Sequence, residues 1–313
     1  MAKQARYTIA QFNADFPDED ACLEHVLKMV YPNGITCRKC QELRPHHKLT
    51  NRKAYSCDYC GTHVYPLAGT IFEKSTTPLK SWFYAMYLMA STRSGISAKQ
   101  LERELGVTYK TAWRMADQIR KLMNEDTGPL QGEVEVDETY VGGKPRLGEV
   151  IPNEYGSRRT GRKTKERKTT VIGAVERGGK VRAKAIPKRN AKNVLPLVMG
   201  HVMPTATVFT DEAPVYRHLH KKGYVHHRIN HSAKVYVKGN VHTQTIEGFW
   251  SLLKNGIRGV NHAVGAHKLQ SYVDTYTFRY NHRDDAEPMF AVLKSRTRKT
   301  RHGRYGQYAP VGE

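Results

Sequence analysis

Three acidic residues, set in order along the chain, carry the first chemical signal. Asp137 sits in Glu133-Val134-Glu135-Val136-Asp137-Glu138-Thr139-Tyr140-Val141, Asp211 ends Ala206-Thr207-Val208-Phe209-Thr210-Asp211, and Glu247 lies in Thr245-Ile246-Glu247-Gly248-Phe249-Trp250. Carboxylates that converge on one point repel each other unless divalent cations neutralise them, and hard oxygen donors select Mg²⁺ or Mn²⁺. Two such ions can activate a water or a 3′-hydroxyl and stabilise the leaving oxygen of a phosphodiester. No member of the trio carries this reading by itself. An Asp at a strand end is often a cap or turn residue, and a Glu in a first helical turn is favoured by the helix dipole. Glu138 and Glu212 read as neighbours on the wrong strand face or in a cap. Asp284 and Asp285 are the second choice for the third acid.

The elements needed to gather the trio are legible. Residues 133–141 alternate polar and apolar, as a strand does, placing Glu133, Glu135 and Asp137 on one face and Val134, Val136 and Glu138 on the other. Thr169–Val175 and Val181–Ile186 form a hairpin around Gly178-Gly179. Residues 190–199 read as a helix despite Pro196, Ala206–Asp211 as a buried strand, 212–220 as a further helix, and the segment from Thr245 as another. In a mixed sheet of this order the first strand is central and the second acid-bearing strand pairs beside it, with a helix bringing Glu247 across from both.

A second chemistry lies upstream. Cys37-Arg38-Lys39-Cys40 and Cys57-Asp58-Tyr59-Cys60 are two C-x-x-C knuckles. Each lets two thiolates reach one ion from a tight turn, and together they predict a closed, structural Cys₄ zinc site. His46, His47 and His63 then have no coordination position left, and Cys22 reads as a core residue.

Between these features, residues 78–123 predict three helices. Ser97 is placed to cap the second with Gln100 as capping-box partner, Gly106-Val107 makes a turn, and Thr108 caps the third. Leu101, Leu105, Val107, Ala112, Trp113, Ala116 and Ile119 are the expected core of a helix-turn-helix. The third helix would offer Tyr109, Lys110, Arg114, Gln118 and Lys121 to a major groove. Residues 8–31 read as one short helix.

Charge points to the partner. The chain has 313 residues, 51 Lys and Arg against 29 Asp and Glu, and a formal charge of +22. Excess on this scale answers an outside polyanion, with nucleic acid favoured because phosphate contacts release condensed counterions. Two basic stretches, 146–168 with Arg158, Arg159, Arg162 and Lys163, and 294–304, are poor core material and good phosphate contacts. No apolar run of about 18 residues or more argues for a membrane span, and no signal peptide is evident at the start, so a cytoplasmic, nucleoid-associated protein is expected.

At this point the chain resembles bacterial insertion-sequence transposases that couple an N-terminal zinc ribbon to a DDE domain of RNase H-like fold. The resemblance rests on V-D-E-T-Y-V-G-G-K (136–144), F-T-D-E (209–212), H-T-Q-T-I-E-G-F-W-S-L-L-K (242–254) and F-R-Y-N-H-R (278–283). It implies that Asp137, Asp211 and Glu247 bind two Mg²⁺ or Mn²⁺ ions. It also implies that Lys254, two helical turns beyond Glu247, holds a DNA phosphate. Relatives often carry Asn where this chain has Gln244. The implied organisation is a helical segment (1–34), a zinc ribbon (35–75), a helix-turn-helix (76–128), an RNase H-like domain (129–292, basic insert 146–168) and a basic tail (293–313). The implied activity is metal-dependent cleavage and strand transfer at terminal inverted repeats of double-stranded DNA, by a homodimer or larger synaptic assembly. A zinc-ribbon regulator with a silent catalytic domain, and a nuclease without strand transfer, are the alternatives.

Overall fold

The computed structural model describes residues 7–142, 150–152, 158–160, 168–229 and 243–297. The chain divides into two compact units, Met1–Leu122 with Asp284–Glu313, and Met123–Arg283.

The first unit opens with two helices, not the one expected. Thr8 builds a capping box with Gln11 at the start of α1 (Ile9–Asp15), and Asp18 caps α2 (Glu19–Val30) by accepting from the Ala21 amide. Phe16-Pro17 separates them, because proline disfavours helical backbone in the residue before it. A small antiparallel sheet follows, β1 (His46–Lys48), β2 (Tyr55–Cys57) and β3 (His63–Val64). Three helices come next: α3 (Leu79–Ser91), α4 (Ala98–Leu105) and α5 (Tyr109–Leu122). Ser97 accepts from the Gln100 amide, but the Gln100 side chain turns to Glu104, so half of the expected capping box forms. Gly106 at φ 63° makes the turn into α5. Trp113, expected in the core, is 36% exposed beside Tyr109 at 50%. The last helix among the described residues, named α9 below, also belongs here: it packs on α3, and the Ile71 amide donates to the Thr297 carbonyl. Residues 284–292, assigned by sequence to the downstream domain, therefore return to the N-terminal unit, which buries Phe290 among Phe12, Phe16 and Tyr87.

The second unit is a mixed sheet between two apolar layers. Its strands are β4 (Glu133–Val141), β7 (Thr169–Glu176), β8 (Val181–Ile186), β9 (Thr207–Thr210) and β10 (Val225–Arg228), in the spatial order β10-β9-β4-β7-β8. β4–β7 and β7–β8 are antiparallel, whereas β4–β9 and β9–β10 are parallel. This central first strand, hairpin and parallel return meet the RNase H-like expectation. Within the 146–168 insert, β5 (Val150–Pro152) pairs with β6 (Arg158–Thr160) as a separate two-stranded ribbon.

Period-two alternation fills both faces. Val134 and Val136 pack with Ile172, Val208 and α6 (Ala191–His201) on one side. Val171 and Val175 pack on the other with Ile246, Phe249 and Trp250 of α7 (Gln244–Gly256) and Val273 and Tyr276 of α8 (Leu269–Asn281). The helix expected at 212–220 is instead two three-residue 3₁₀ turns, Pro214–Tyr216 and His220–Lys222. These turns suffice to bury Val215, Tyr216 and Leu219. Helix α9 (Met289–Ser295) lies beyond, in the first unit.

Candidate functional site

The parallel register sets the acids side by side. Glu133 pairs with Thr207 and Glu135 with Phe209, so the same register carried two residues on brings Asp137, in the middle of β4, level with Asp211, just past the end of β9. Asp211 Oδ1 also accepts from the Ala213 amide, at 3.0 Å, which fixes the chain as it leaves the sheet.

Helix α7 closes the site from the other side. Trp250 Nε1 donates to Asp137 Oδ2 at 2.9 Å. The indole comes close because β7 carries Gly173 opposite it: a Cβ there would lie 2.6 Å from the Trp250 ring. Glu247, Trp250, Lys254 and Arg258 recur at three or four residues along one helical stripe, and with Asp137 and Glu138 they line a cavity of about 460 Å³. The stripe runs from α7 into a π-helical turn, Ile257–Asn261.

The electrostatics are those of a crowded acid site. Burial, reinforced by Glu138 and Asp211 and opposed by Trp250, pushes Asp137 up from 3.8 to about 6. Burial also raises Glu138, with Asp211 adding to it, while the Tyr216 hydroxyl at 2.6 Å and the Arg189 guanidinium oppose. Glu138 thus faces the α6 side of the sheet, as its alternation predicted. Lys254 is lowered by burial, then by Arg258 and Lys168, with Asp137 opposing.

Asp211 flanks the cleft without lining it, and Glu247 is exposed at its rim. Among the described residues no three of these acid oxygens lie within 4.8 Å of one another. The donor set still fits hard divalent cations: every candidate ligand is a carboxylate, and one is kept largely protonated below pH 6 by burial and like charge, a cost that a cation removes. Asp284 and Asp285 lie in the other unit and do not line the cleft. His242 lies outside the described residues.

The cysteines converge as predicted. The Sγ atoms of Cys37, Cys40, Cys57 and Cys60 all lie within 4.8 Å of one another. A tetrahedral zinc with Zn–S near 2.3 Å needs S···S of about 3.8 Å, so the site fits that ion. Both knuckles close alike, with Gln41 at φ 60° donating its amide to the Cys37 carbonyl and Gly61 at φ 70° doing the same to Cys57. The Thr62 hydroxyl, followed by its backbone, draws Cys60 down to about 6.

Of the expected DNA contacts, Tyr109, Lys110, Arg114 and Lys121 are exposed on α5 and Gln118 is half-buried, while Lys121 pairs with Asp117 at 3.2 Å. Arg158 and Arg159 fall in β6, and Arg162 and Lys163 lie outside the described residues. Sequence reasoning missed Arg258. Arg258 was findable as the next residue of the Glu247–Lys254 stripe. Lys168, the last residue of the basic stretch 146–168, acts on Lys254 from 86 positions before it. The F-R-Y-N-H-R stretch does structural work: Asn281 Oδ1 accepts from the Val181 amide at 2.7 Å, its Nδ2 donates to the Val181 carbonyl, and His282 meets Glu125.

Residues 129–281 match the ISXO2-like transposase domain and residues 17–63 the transposase zinc-ribbon domain. The chain is 27% identical over 272 residues to an uncharacterized protein in transposable element ISH50 of Halobacterium salinarum, covering 84% of this chain and 91% of that one. Among solved structures, the pre-cleavage Mos1 transpososome matches at 11% identity and a TM-score of 0.28, over 70% of this chain and 79% of that one.

Proposed function

Because the chain belongs to the insertion-sequence transposases built from a transposase zinc ribbon and an ISXO2-like transposase domain, we propose that it cleaves double-stranded DNA at the terminal inverted repeats of its element and joins the 3′-ends to target DNA. The observation that carries this reading is the pairing of β4 with β9, which sets Asp137 level with Asp211, while α7 brings Glu247 and Lys254 to the cleft that Asp137 lines.

Asp137, Asp211 and Glu247 would hold two Mg²⁺ or Mn²⁺ ions, which when bound supply Lewis acidity at the scissile phosphodiester. Trp250 fixes one oxygen of Asp137. Lys254 and Arg258, next to the acids on the same stripe, grip a phosphate oxygen and orient the strand. Glu138 also borders the cleft, but its carboxylate is tied to Tyr216 and Arg189.

Recognition falls to the first unit. Exposed Tyr109, Lys110, Trp113 and Arg114 give α5 an aromatic and basic face that suits a DNA groove, with the zinc ribbon as a second contact. The basic insert and tail add phosphate contacts. Two ends must be joined together, so a homodimer or larger assembly acts, in the cytoplasm on nucleoid DNA. No helix among the described residues is long and apolar enough to cross a membrane.

Mg²⁺-dependent joining of a labelled terminal-repeat oligonucleotide to plasmid tests the proposal. Wild-type protein is expected to join and Asp211→Asn to bind without joining. Tight but inert binding by the wild type would favour a regulator, and cutting without joining a nuclease.

A further inference from the structure

Glu135 is the most deeply buried acid among the described residues, 0% exposed on the sheet face that packs against α7. The sequence grouped it with Asp137 on one strand face and gave it no role. Its carboxylate is fully engaged: Arg177 Nε donates to Oε1 at 2.8 Å, Thr245 Oγ1 donates to Oε1 at 3.0 Å, and the Ile246 amide donates to Oε2 at 3.0 Å.

The Ile246 amide is one of the N-terminal donors that an α-helix leaves unsatisfied. Thr243, at the N-cap of α7, makes no side-chain cap bond. Glu135 does that task from a strand 111 residues away in sequence. Arg177, at the end of β7, is held by Glu133 Oε2 at 2.9 Å and lies 4.3 Å over the Phe209 ring of β9. The network therefore touches all three acid-bearing elements at equivalent places. Glu135 precedes Asp137 by two residues, Phe209 precedes Asp211 by two, and Thr245 precedes Glu247 by two. In the strands, two residues is one pleat repeat on the same face.

A buried ion pair is weak evidence for stability, since desolvating two charges offsets their attraction. A serine at position 243 would cap α7 locally without burying a charge. What the buried pair adds, and a local cap would not, is a fixed distance between β4, β9 and the start of α7. We propose that Glu135 and Arg177 form a positioning clamp beneath the acid cluster. The clamp sets the spacing of Asp137, Asp211 and Glu247 and through it the affinity for divalent cations. The inference rests on the metal-holding role assigned to those acids above.

Full-length wild type, Glu135→Gln and Thr245→Val would be titrated with Mn²⁺ alone, reading free Mn²⁺ by electron paramagnetic resonance. DNA affinity and exchange of the Ile246 amide would be measured beside it. The expected result is a Mn²⁺ midpoint weakened roughly 10–100-fold in Glu135→Gln and about two- to tenfold in Thr245→Val, which loses one donor. Ile246 should exchange faster and DNA affinity should stay the same. General loosening would lower the number of ions bound without moving the midpoint, and that result, like a wild-type midpoint in folded Glu135→Gln, overturns the clamp. If Glu135→Gln does not fold, Thr245→Val decides by the same criterion. Wild type that binds no Mn²⁺ overturns both the clamp and the proposed function. A shifted midpoint in a protein that never joins DNA upholds the clamp and refutes strand transfer.

Discussion

Replacing Asp137 by Asn should stabilise the metal-free protein while abolishing its activity. In the fold Asp137 titrates near 6 instead of 3.8, first because it is buried and then because Glu138 and Asp211 lie beside it. A carboxyl whose pKa is raised by folding binds its proton more tightly in the native state, so native stability is intact below pH 3.8 and falls as the pH rises toward 6. Above that window the penalty is constant, about two pKa units or about 3 kcal/mol as an upper bound. Asparagine keeps the shape and still accepts from Trp250 Nε1, but carries no charge to desolvate. For a unit the size of Met123–Arg283, a gain of that size raises Tm by about 6–12 °C. Scanning calorimetry in EDTA at pH 7.5, 5 and 3.5 should find the full gain at 7.5, about half of it at 5, and almost none at 3.5. Saturating Mn²⁺ should then narrow or reverse the order, because a ligand bound by the native state stabilises by mass action and the variant binds it less well. Equal melting of the two proteins at pH 7.5 without metal would refute the reasoning, as would a gain that does not shrink on acidification.

Three further outcomes are expected. Cys57→Ser should remove the zinc measured by atomic absorption and melt the ribbon while leaving the transition of the transposase domain in place; retention of one zinc per chain would contradict the Cys₄ assignment. Lys254→Ala and Arg258→Ala should each lower the slope of log affinity against log salt by about 1 in fluorescence anisotropy with terminal-repeat DNA, and an unchanged slope would remove that residue from the phosphate contacts. Gly173→Ala places a Cβ 2.6 Å from the Trp250 ring, so it should destabilise the domain by about 1–3 kcal/mol and shift the Trp250 emission; wild-type Tm and spectrum would contradict the close packing.

Much of this architecture is legible from local pattern. The alternation of residues 133–141 gave the correct faces, including Glu138 turned away toward Tyr216. The two C-x-x-C turns needed only spacing. The acids at strand end and helix start were readable because each marks the boundary of a periodic segment. The departures have physical causes. Pro17 split an apolar stretch that periodicity read as one helix. Burial of Val215, Tyr216 and Leu219 needed only two 3₁₀ turns in place of a helix. Trp113 has core chemistry and an exposed position, so the face of α5 is more aromatic than its basic residues suggested. The return of α9 to the first unit could not be read, since Phe290 finds Phe12 and Phe16 across nearly the whole chain. Glu135 shows the same limit at the site. Its acidic side chain was visible, but Arg177, Thr245 and Ile246 lie 42, 110 and 111 residues away.

Anomalous scattering from crystals soaked in Mn²⁺ with terminal-repeat DNA bears most directly on whether Asp137, Asp211 and Glu247 grip divalent ions. Two peaks bridged by these carboxylates, on the Trp250 side of the sheet, are the predicted result. DNA seated in the cleft with no anomalous density there, or density held by other residues, would contradict it.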